Sequence, residues 1–363
     1  MLNRSRKVEF LYLQQEDCIK AGGLDMSGTL KATERSFFLH GKGDYILPAK
    51  PVIRWGGEDS EETIGRIMSM PSWLGGEKYR DELISKGLLG PVNTSGIKFI
   101  PSKPHNPAKY GLPRANAIII ILDPDTLMPV CILDGTLVSA MRTGAASGVA
   151  ARYLANPGAK TMGLIGTGVQ GRTQLMGVCA AVPSLEICKV YSPNPEHVKG
   201  MVEEMKGKVD AEVRAAESYE DAIAGSDIIC TATMAKAPYV NPDWWKKGAL
   251  HVETSFWDTP PSALKEVDVI VVDDWFQVKH HGADVAWRAV RDGFIKEEAI
   301  RGNLGDIIVG KIEGRRDEKE RIVFNPIGMG IHDLSEAHRV FQNASQEGIG
   351  RTLPLWESPA LCG

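Results

Sequence analysis

One stretch constrains the fold of this 363-residue chain more than any other: residues 159–171, AKTMGLIGTGVQG. An apolar run with Met162, Leu164 and Ile165 leads straight into Gly166-Thr167-Gly168-Val169-Gln170-Gly171, and a helical pattern follows over 173–181. Strand, glycine turn, helix is the context in which G-x-G-x-x-G reads as a dinucleotide-binding turn. Gly166 lets the chain turn tightly, Gly168 lets the backbone approach a pyrophosphate, and Gly171 lets the new helix pack on its strand. The unpaired N–H groups and positive dipole end of that helix would face the phosphates. The plainer alternative, a glycine-rich turn with no ligand, loses ground once both flanks fit.

Downstream, strand and helix periods alternate. Strands are expected at 161–166, 186–191, 211–215, 227–232, 249–254 and 268–273, with helices between most of them, which is the pattern of a doubly wound parallel α/β sheet. The strand ending in Thr231-Ala232-Thr233 reads as the fourth of a nucleotide fold, whose carboxyl end lines the cofactor crevice. Helices are expected at 283–291, 296–300 and 331–347, a last strand at 322–324, and a tail without pattern.

The first half reads differently. Strands are expected at 8–13, 48–54, 64–71, 96–101 and 116–123, the last with four consecutive isoleucines, and 129–133 pairs back on it as a hairpin. A helix over 25–39 is expected to break at Gly28. Residues 56–63 form an acidic loop, and 77–93 a surface excursion. This block is a second, α+β domain with a mainly antiparallel or mixed sheet. A small-residue helix over 137–154 leads to Asn156-Pro157-Gly158, read as the boundary. The domains expected are therefore 1–157, completed by about 325–363, and 158–324.

Whole-chain properties narrow the function. A net charge of −4 offers no basic field for nucleic acid or a membrane surface. The six cysteines are scattered with no C-x-x-C pair, which points to a reducing compartment and no structural zinc. The neighbours His280-His281 and Asp273-Asp274 lack ligand spacing, so no metal site is expected. No apolar run reaches the ~18 residues of a membrane span, and the N-terminal apolar run is too short for a secretory signal. A cytoplasmic location is expected.

The run Leu133-Asp134-Gly135-Thr136-Leu137-Val138-Ser139-Ala140-Met141-Arg142-Thr143-Gly144-Ala145-Ala146-Ser147 closely resembles the signature of the ornithine cyclodeaminase/mu-crystallin family. The segment 123–129 (DPDTLMP), the glycine turn, Thr231-Ala232-Thr233 and 324–333 (FNPIGMGIHD) are similar to it as well. The resemblance implies a homodimer with a Rossmann NAD(P)-binding domain and a second domain for substrate binding and dimerisation. It also implies hydride transfer between the α C–N carbon of a small amino or imino acid and NAD(H) or NADP(H). Members include ornithine cyclodeaminases, alanine dehydrogenases, ketimine reductases and opine-type dehydrogenases.

The same resemblance assigns residues. Lys98 and Arg142 match positions that bind the substrate carboxylate, for which Lys offers a point charge and Arg a bidentate fork. A third cation matches Lys50, with Arg54 the alternative. Asp258 matches the family aspartate after the fifth Rossmann strand and would accept a proton; as a plain residue it could instead cap the helix that follows. Asp258 and Lys98 are the catalytic candidates. Met68 stands where ornithine-processing members carry Glu. A thioether cannot pair with an ammonium, so this departure favours a dehydrogenase or imine reductase over ornithine cyclisation. The Gly-Lys usual downstream of the aspartate is also absent. Thr143, Gly166, Thr167, Gly168, Val169, Gln170, Ser192, Thr231, Ala232 and Thr233 form the expected cofactor set. The second Rossmann strand ends Tyr191-Ser192-Pro193-Asn194 without the acid that usually bonds a ribose 2′-OH; Lys199 is nearby, and NAD(H) is narrowly preferred. His332 and Asp333 lie in a family-like segment without an assigned role.

Overall fold

The computed structural model describes residues 7–56 and 65–360. The chain divides into two compact units: one holds the chain up to Ser36, Asp44–Ser139 and Gly330 onward, the other Phe37–Gly43 and Ala140–Met329. Two of the divisions fall within helices, one just after a helix and one at a helix start, whereas the sequence suggested residues 157 and 324.

The first unit carries β1 (Val8–Leu13), α1 (Gln15–Cys18), most of α2 (Met26–Lys42), β2 (Tyr45–Ile46), β3 (Val52–Trp55), β4 (Gly65–Leu74), α3 (Arg80–Ser85), β5 (Thr94–Ser102), α4 (Asn106–Tyr110), β6 (Ile118–Leu122), β7 (Pro129–Asp134) and the start of α5 (Gly135–Leu154). In the second unit lie the rest of α5, then β8 (Thr161–Ile165), α6 (Val169–Ala181), β9 (Ile187–Tyr191), α7 (Pro195–Met205), β10 (Glu212–Ala215), α8 (Tyr219–Ile223), β11 (Ile228–Thr231), β12 (Leu250–Glu253), β13 (Val269–Val272), α9 (Trp275–His281), α10 (Val285–Arg291), β14 (Ile300–Asn303), α11 (Leu304–Ile308) and β15 (Ile322–Asn325). The chain then returns to the first unit with α12 (Gly330–Glu347) and β16 (Arg351–Trp356).

The first sheet runs β16-β1-β7-β6-β5-β4-β2, with β3 also paired to β4. It is mixed: β1 and β7 are parallel, and the other pairs are antiparallel. Period-2 side-chain alternation gives it two faces. On one face Met70, Ile119 and Ile121 are buried against α12. The opposite face leaves Ile53, Phe99, Ile118 and Leu353 exposed. The second sheet is fully parallel, in the order β10-β9-β8-β11-β12-β15-β13-β14. Its central strands β11, β12, β13 and β15 are buried at every position, as expected of a sheet covered on both sides, whereas the edge strands β10 and β14 are more polar and more exposed. The strand order reverses between β9-β8 and β11, which makes the carboxyl end of β8 and β11 the switch point where ligands bind in such sheets.

Several local expectations need correction. The helix α2 runs unbroken through Gly28, where a Cβ would crowd the Asp25 carboxylate and the Arg339 guanidinium, so this glycine serves packing rather than a break. The tail is not patternless: β16 pairs antiparallel with β1, Phe10 opposite Leu353. In place of the helix expected over 296–300 there is a single turn at 297–299 followed by a strand over 300–303, and 106–110 form a short helix for which no element was expected. The strand expected at 322–324 is present over 322–325 and is inserted between β12 and β13. The acidic loop lies, from residue 57, outside the described residues.

Candidate active site

The glycine turn has the geometry its sequence demands. Gly166 has φ +112°, a region that favours glycine, and an added Cβ would overlap the Ala232 carbonyl oxygen. A Cβ on Gly171 would overlap the Gly166 carbonyl, so the third glycine is required by helix-to-strand packing. Gly168, the N-cap of α6, faces open space. Val169 is exposed, and the buried Gln170 Oε1 has no hydrogen-bond partner among the described residues. An open glycine, helix N–H groups and an orphaned acceptor fit a dinucleotide. The guanidinium of Arg172 donates to the Thr167 carbonyl and pairs with Glu204 at 2.7 Å, which fixes the turn from behind.

The helix α5 packs backbone to backbone on α6. A Cβ at Gly144 would overlap the Thr173 carbonyl, and one at Gly177 the Gly144 carbonyl. This explains the small-residue run of α5 and seats Thr143 beside α6, where its carbonyl accepts from Gln174 Nε2 at 3.4 Å. Arg142 is nearly buried. The turn at Gly328 (φ +76°) approaches it so closely that a Cβ there would lie 2.6 Å from Arg142 Nη1. Asp273 holds that turn by accepting the N–H groups of Ile327 (3.1 Å) and Gly328 (2.6 Å).

Asp258 is fully buried and does not cap a helix. Its carboxylate accepts the Thr233 N–H at 3.1 Å and the Thr233 hydroxyl. Thr231, by contrast, is fully buried and its hydroxyl is paired with His251 Nε2 at 3.0 Å, so only its position relates it to the crevice. Glu253, which sequence reading passed over, ends β12 five residues before Asp258. It is fully buried and accepts from the Ser255 and Thr259 hydroxyls. Burial, and then the negative charge of Asp258, push its carboxyl up to about 8. Burial pushes His251 down to about 3, leaving the ring neutral. A charged residue inside a buried apolar strand was the available signal for Glu253. Ser192 follows β9, partly exposed, and the Asn194 side chain caps α7 through the Glu196 N–H at 3.0 Å.

In the first unit, Lys98 is no solvent-edge lysine. It is 2 % exposed, with Nζ 2.9 Å from Asp333 Oδ1 and 3.0 Å from Ser139 Oγ. Asp333 therefore has a role that the sequence left blank. The neighbouring His332 Nδ1 bonds Ser36 Oγ at 2.6 Å and braces α12 on α2. Met68 lies opposite Val52 and Ile100, an apolar surrounding. Lys50, partly exposed, precedes β3. Lys98 and Lys50 belong to the first unit, Arg142, Asp258 and the glycine turn to the second. Among the described residues no group of three or more acidic, histidine or cysteine side chains could hold a metal ion, and no helix is long and apolar enough to cross a membrane.

A parallel doubly wound sheet with this turn at its switch point, and a buried aspartate clamped beside it, defines a dinucleotide-binding oxidoreductase. The chain belongs to the ornithine cyclodeaminase/mu-crystallin family, whose model matches residues 26–348. It is an enzyme of nicotinamide-dependent amino- and imino-acid chemistry. It is 33 % identical over 349 residues to the N-((2S)-2-amino-2-carboxyethyl)-L-glutamate dehydrogenase of Staphylococcus aureus, covering 96 % of this chain and 99 % of the relative. It is 30 % identical to the alanine dehydrogenase of Archaeoglobus fulgidus over 96 % of this chain and 99 % of that one. Among solved structures, the Thermococcus litoralis Δ1-pyrroline-2-carboxylate reductase with NADH and L-proline superposes with a TM-score of 0.81 at 31 % identity, covering 94 % of this chain and 99 % of that chain.

Proposed function

We propose that this enzyme oxidises or reduces the α C–N bond of an amino or imino acid, with NAD(H) preferred over NADP(H), and that it does not cyclise ornithine. One relationship carries the reading: Ala232 touches the glycine turn while its neighbour Thr233 clamps Asp258, so cofactor turn and acid meet at the end of one strand. Bound nicotinamide dinucleotide would accept the hydride that leaves the α-carbon. Asp258 would take the proton released by the substrate nitrogen as the C=N bond forms, and return it in the reverse direction. Lys98, Arg142 and Lys50 would hold the substrate carboxylate. Met68, in its apolar surroundings, supplies no acid to pair with a side-chain ammonium, which is the ground for setting ornithine cyclisation aside. The preference for NAD(H) is supported by the spent side chain of Asn194, the lack of arginine at the end of β9, and the NADH and NAD bound in two similar structures.

We further propose a homodimer. The exposed Ile53, Phe99, Ile118 and Leu353 stand on one sheet face, an apolar surface suited to a second copy. One similar structure is an archaeal alanine dehydrogenase dimer. The five described cysteines are thiols, Cys179 and Cys188 with sulfurs 3.6 Å apart, which suits a reducing cytoplasm.

The test is nicotinamide absorbance with a panel of amino acids, cyclic imines and keto acid plus amine mixtures. Turnover with net cofactor conversion is expected. Proline formed from ornithine without net NADH would contradict the proposal.

A further inference from the structure

Lys98 shares its sheet face with a second group of cations. Along β5 the residues Lys98, Ile100 and Ser102 point the same way. Across the ladder Met70 lies opposite Lys98, Met68 opposite Ile100, and Arg66 opposite Ser102. On the next strand Arg54 lies opposite Arg66. The register is regular throughout these pairs, so Arg54 and Arg66 rise from the face that carries Lys98, about 13 Å further along the strands at ~3.3 Å per residue. Arg114 enters the same end from the following loop, since Ala115 bridges Ser102 and the Arg114 carbonyl accepts from Lys103 N at 2.8 Å.

Two arginines directly opposite each other on neighbouring strands repel. Arg66 is also half-buried, and its guanidinium is pushed down first by burial, then by the charges of Arg114 and Arg54. Among the described residues neither Arg54 nor Arg66 is paired with a carboxylate. A cluster of this kind is stabilised by an anion, and guanidinium forks match a carboxylate best. The apolar side chains of Met68 and Ile100 lie between it and Lys98 and suit a short carbon chain.

We infer that Arg54, Arg66 and Arg114 form a second carboxylate-binding subsite, and that the substrate is an amino or imino acid bearing a distal carboxylate as well as its α-carboxylate. This deepens the proposed function and rests on it. The subsite would set specificity, not chemistry. The loop between β3 and β4 carries Glu58, Asp59, Glu61 and Glu62, which makes an internal counter-charge the competing explanation.

The experiment compares the full-length enzyme with Arg66→Gln and Arg66→Lys. Turnover is measured with NADH, methylamine and either 2-oxoglutarate or 2-oxopentanoate, two keto acids of equal carbon number. Wild type is expected to favour the dicarboxylate in kcat/KM, and Arg66→Gln to shrink that ratio at least tenfold through KM, with Arg66→Lys in between. An unchanged ratio in a folded variant overturns the inference. If no variant turns over either keto acid, the oxidoreductase reading is what fails, and calorimetry still decides the subsite. Glutarate should bind the NAD-loaded wild type at least tenfold more tightly than pentanoate, and Arg66→Gln should lose the difference. Glutarate that binds only after Glu58, Asp59, Glu61 and Glu62 are changed to their amides would overturn it in favour of the internal counter-charge.

Discussion

Lys98 and Asp333, 235 residues apart in sequence, form an ion pair at 2.9 Å in which each side chain is about 1 % exposed. Helix α12 thus fixes a cation on β5 that the substrate is proposed to meet. Removing one partner of a buried pair leaves an uncompensated charge, at a cost of about 3–5 kcal/mol. Asp333→Asn should lose roughly that much stability in urea unfolding, while the double change Lys98→Met, Asp333→Leu should lose clearly less. Equal losses would mean that the pair is not a unit.

The three glycines of the turn should respond differently. Gly171→Ala drives a Cβ into the Gly166 carbonyl and should abolish or severely impair folding. Gly168→Ala meets open space and should keep the wild-type Tm, yet lose at least about tenfold in NADH affinity, roughly 1.4 kcal/mol, because the methyl group occupies the pyrophosphate approach. Fluorescence titration and thermal melts separate the two effects.

Much of this was legible beforehand for a physical reason. Most of the strands expected from 161 to 273 are apolar runs bounded by turns, and burial on both faces leaves that mark in sequence; the edge strand β10, with Glu212 and Arg214 exposed, was marked instead by its alternation. What escaped notice depends on partners far along the chain. Strand β16 exists because β1 offers it an edge, and its Arg-Thr-Leu-Pro-Leu-Trp sequence carries no clear period. Gly28 resembles a breaker until Arg339 is seen against it. Asp333 became readable only when α12 brought it to Lys98. Arg66 carries no signal of its own within the strand expected at 64–71; only the register that sets Arg54 opposite gives it one.

Glu253 should mark the pH dependence of stability. Its carboxyl titrates near 4.5 when unfolded and about 8 when folded. Between these values the folded state holds a proton that the unfolded state has lost, so this group's contribution is complete below about pH 4.5 and disappears as pH rises through about 8. Wild type should therefore lose stability from pH 5 to 8, by up to about 1 kcal/mol per pH unit. Glu253→Gln should flatten that slope. Chemical denaturation at a series of pH values checks this; parallel curves would contradict the assignment.

The exposed apolar face of the first sheet predicts assembly. Phe99→Glu combined with Ile118→Lys should convert a dimer to a monomer in sedimentation velocity, with the helical signal retained. A monomeric wild type would remove the basis for the dimer.

The central claim is that Asp258, clamped by Thr233, moves the proton that accompanies hydride transfer. The direct measurement is nicotinamide absorbance during turnover by wild type and Asp258→Asn, with NADH binding determined on the same samples. The account predicts at least a hundredfold loss of kcat, in the range of about 10²–10⁴ for general acid–base groups, with NADH affinity within about threefold of wild type. An Asp258→Asn enzyme that binds cofactor and turns over at the wild-type rate would contradict it.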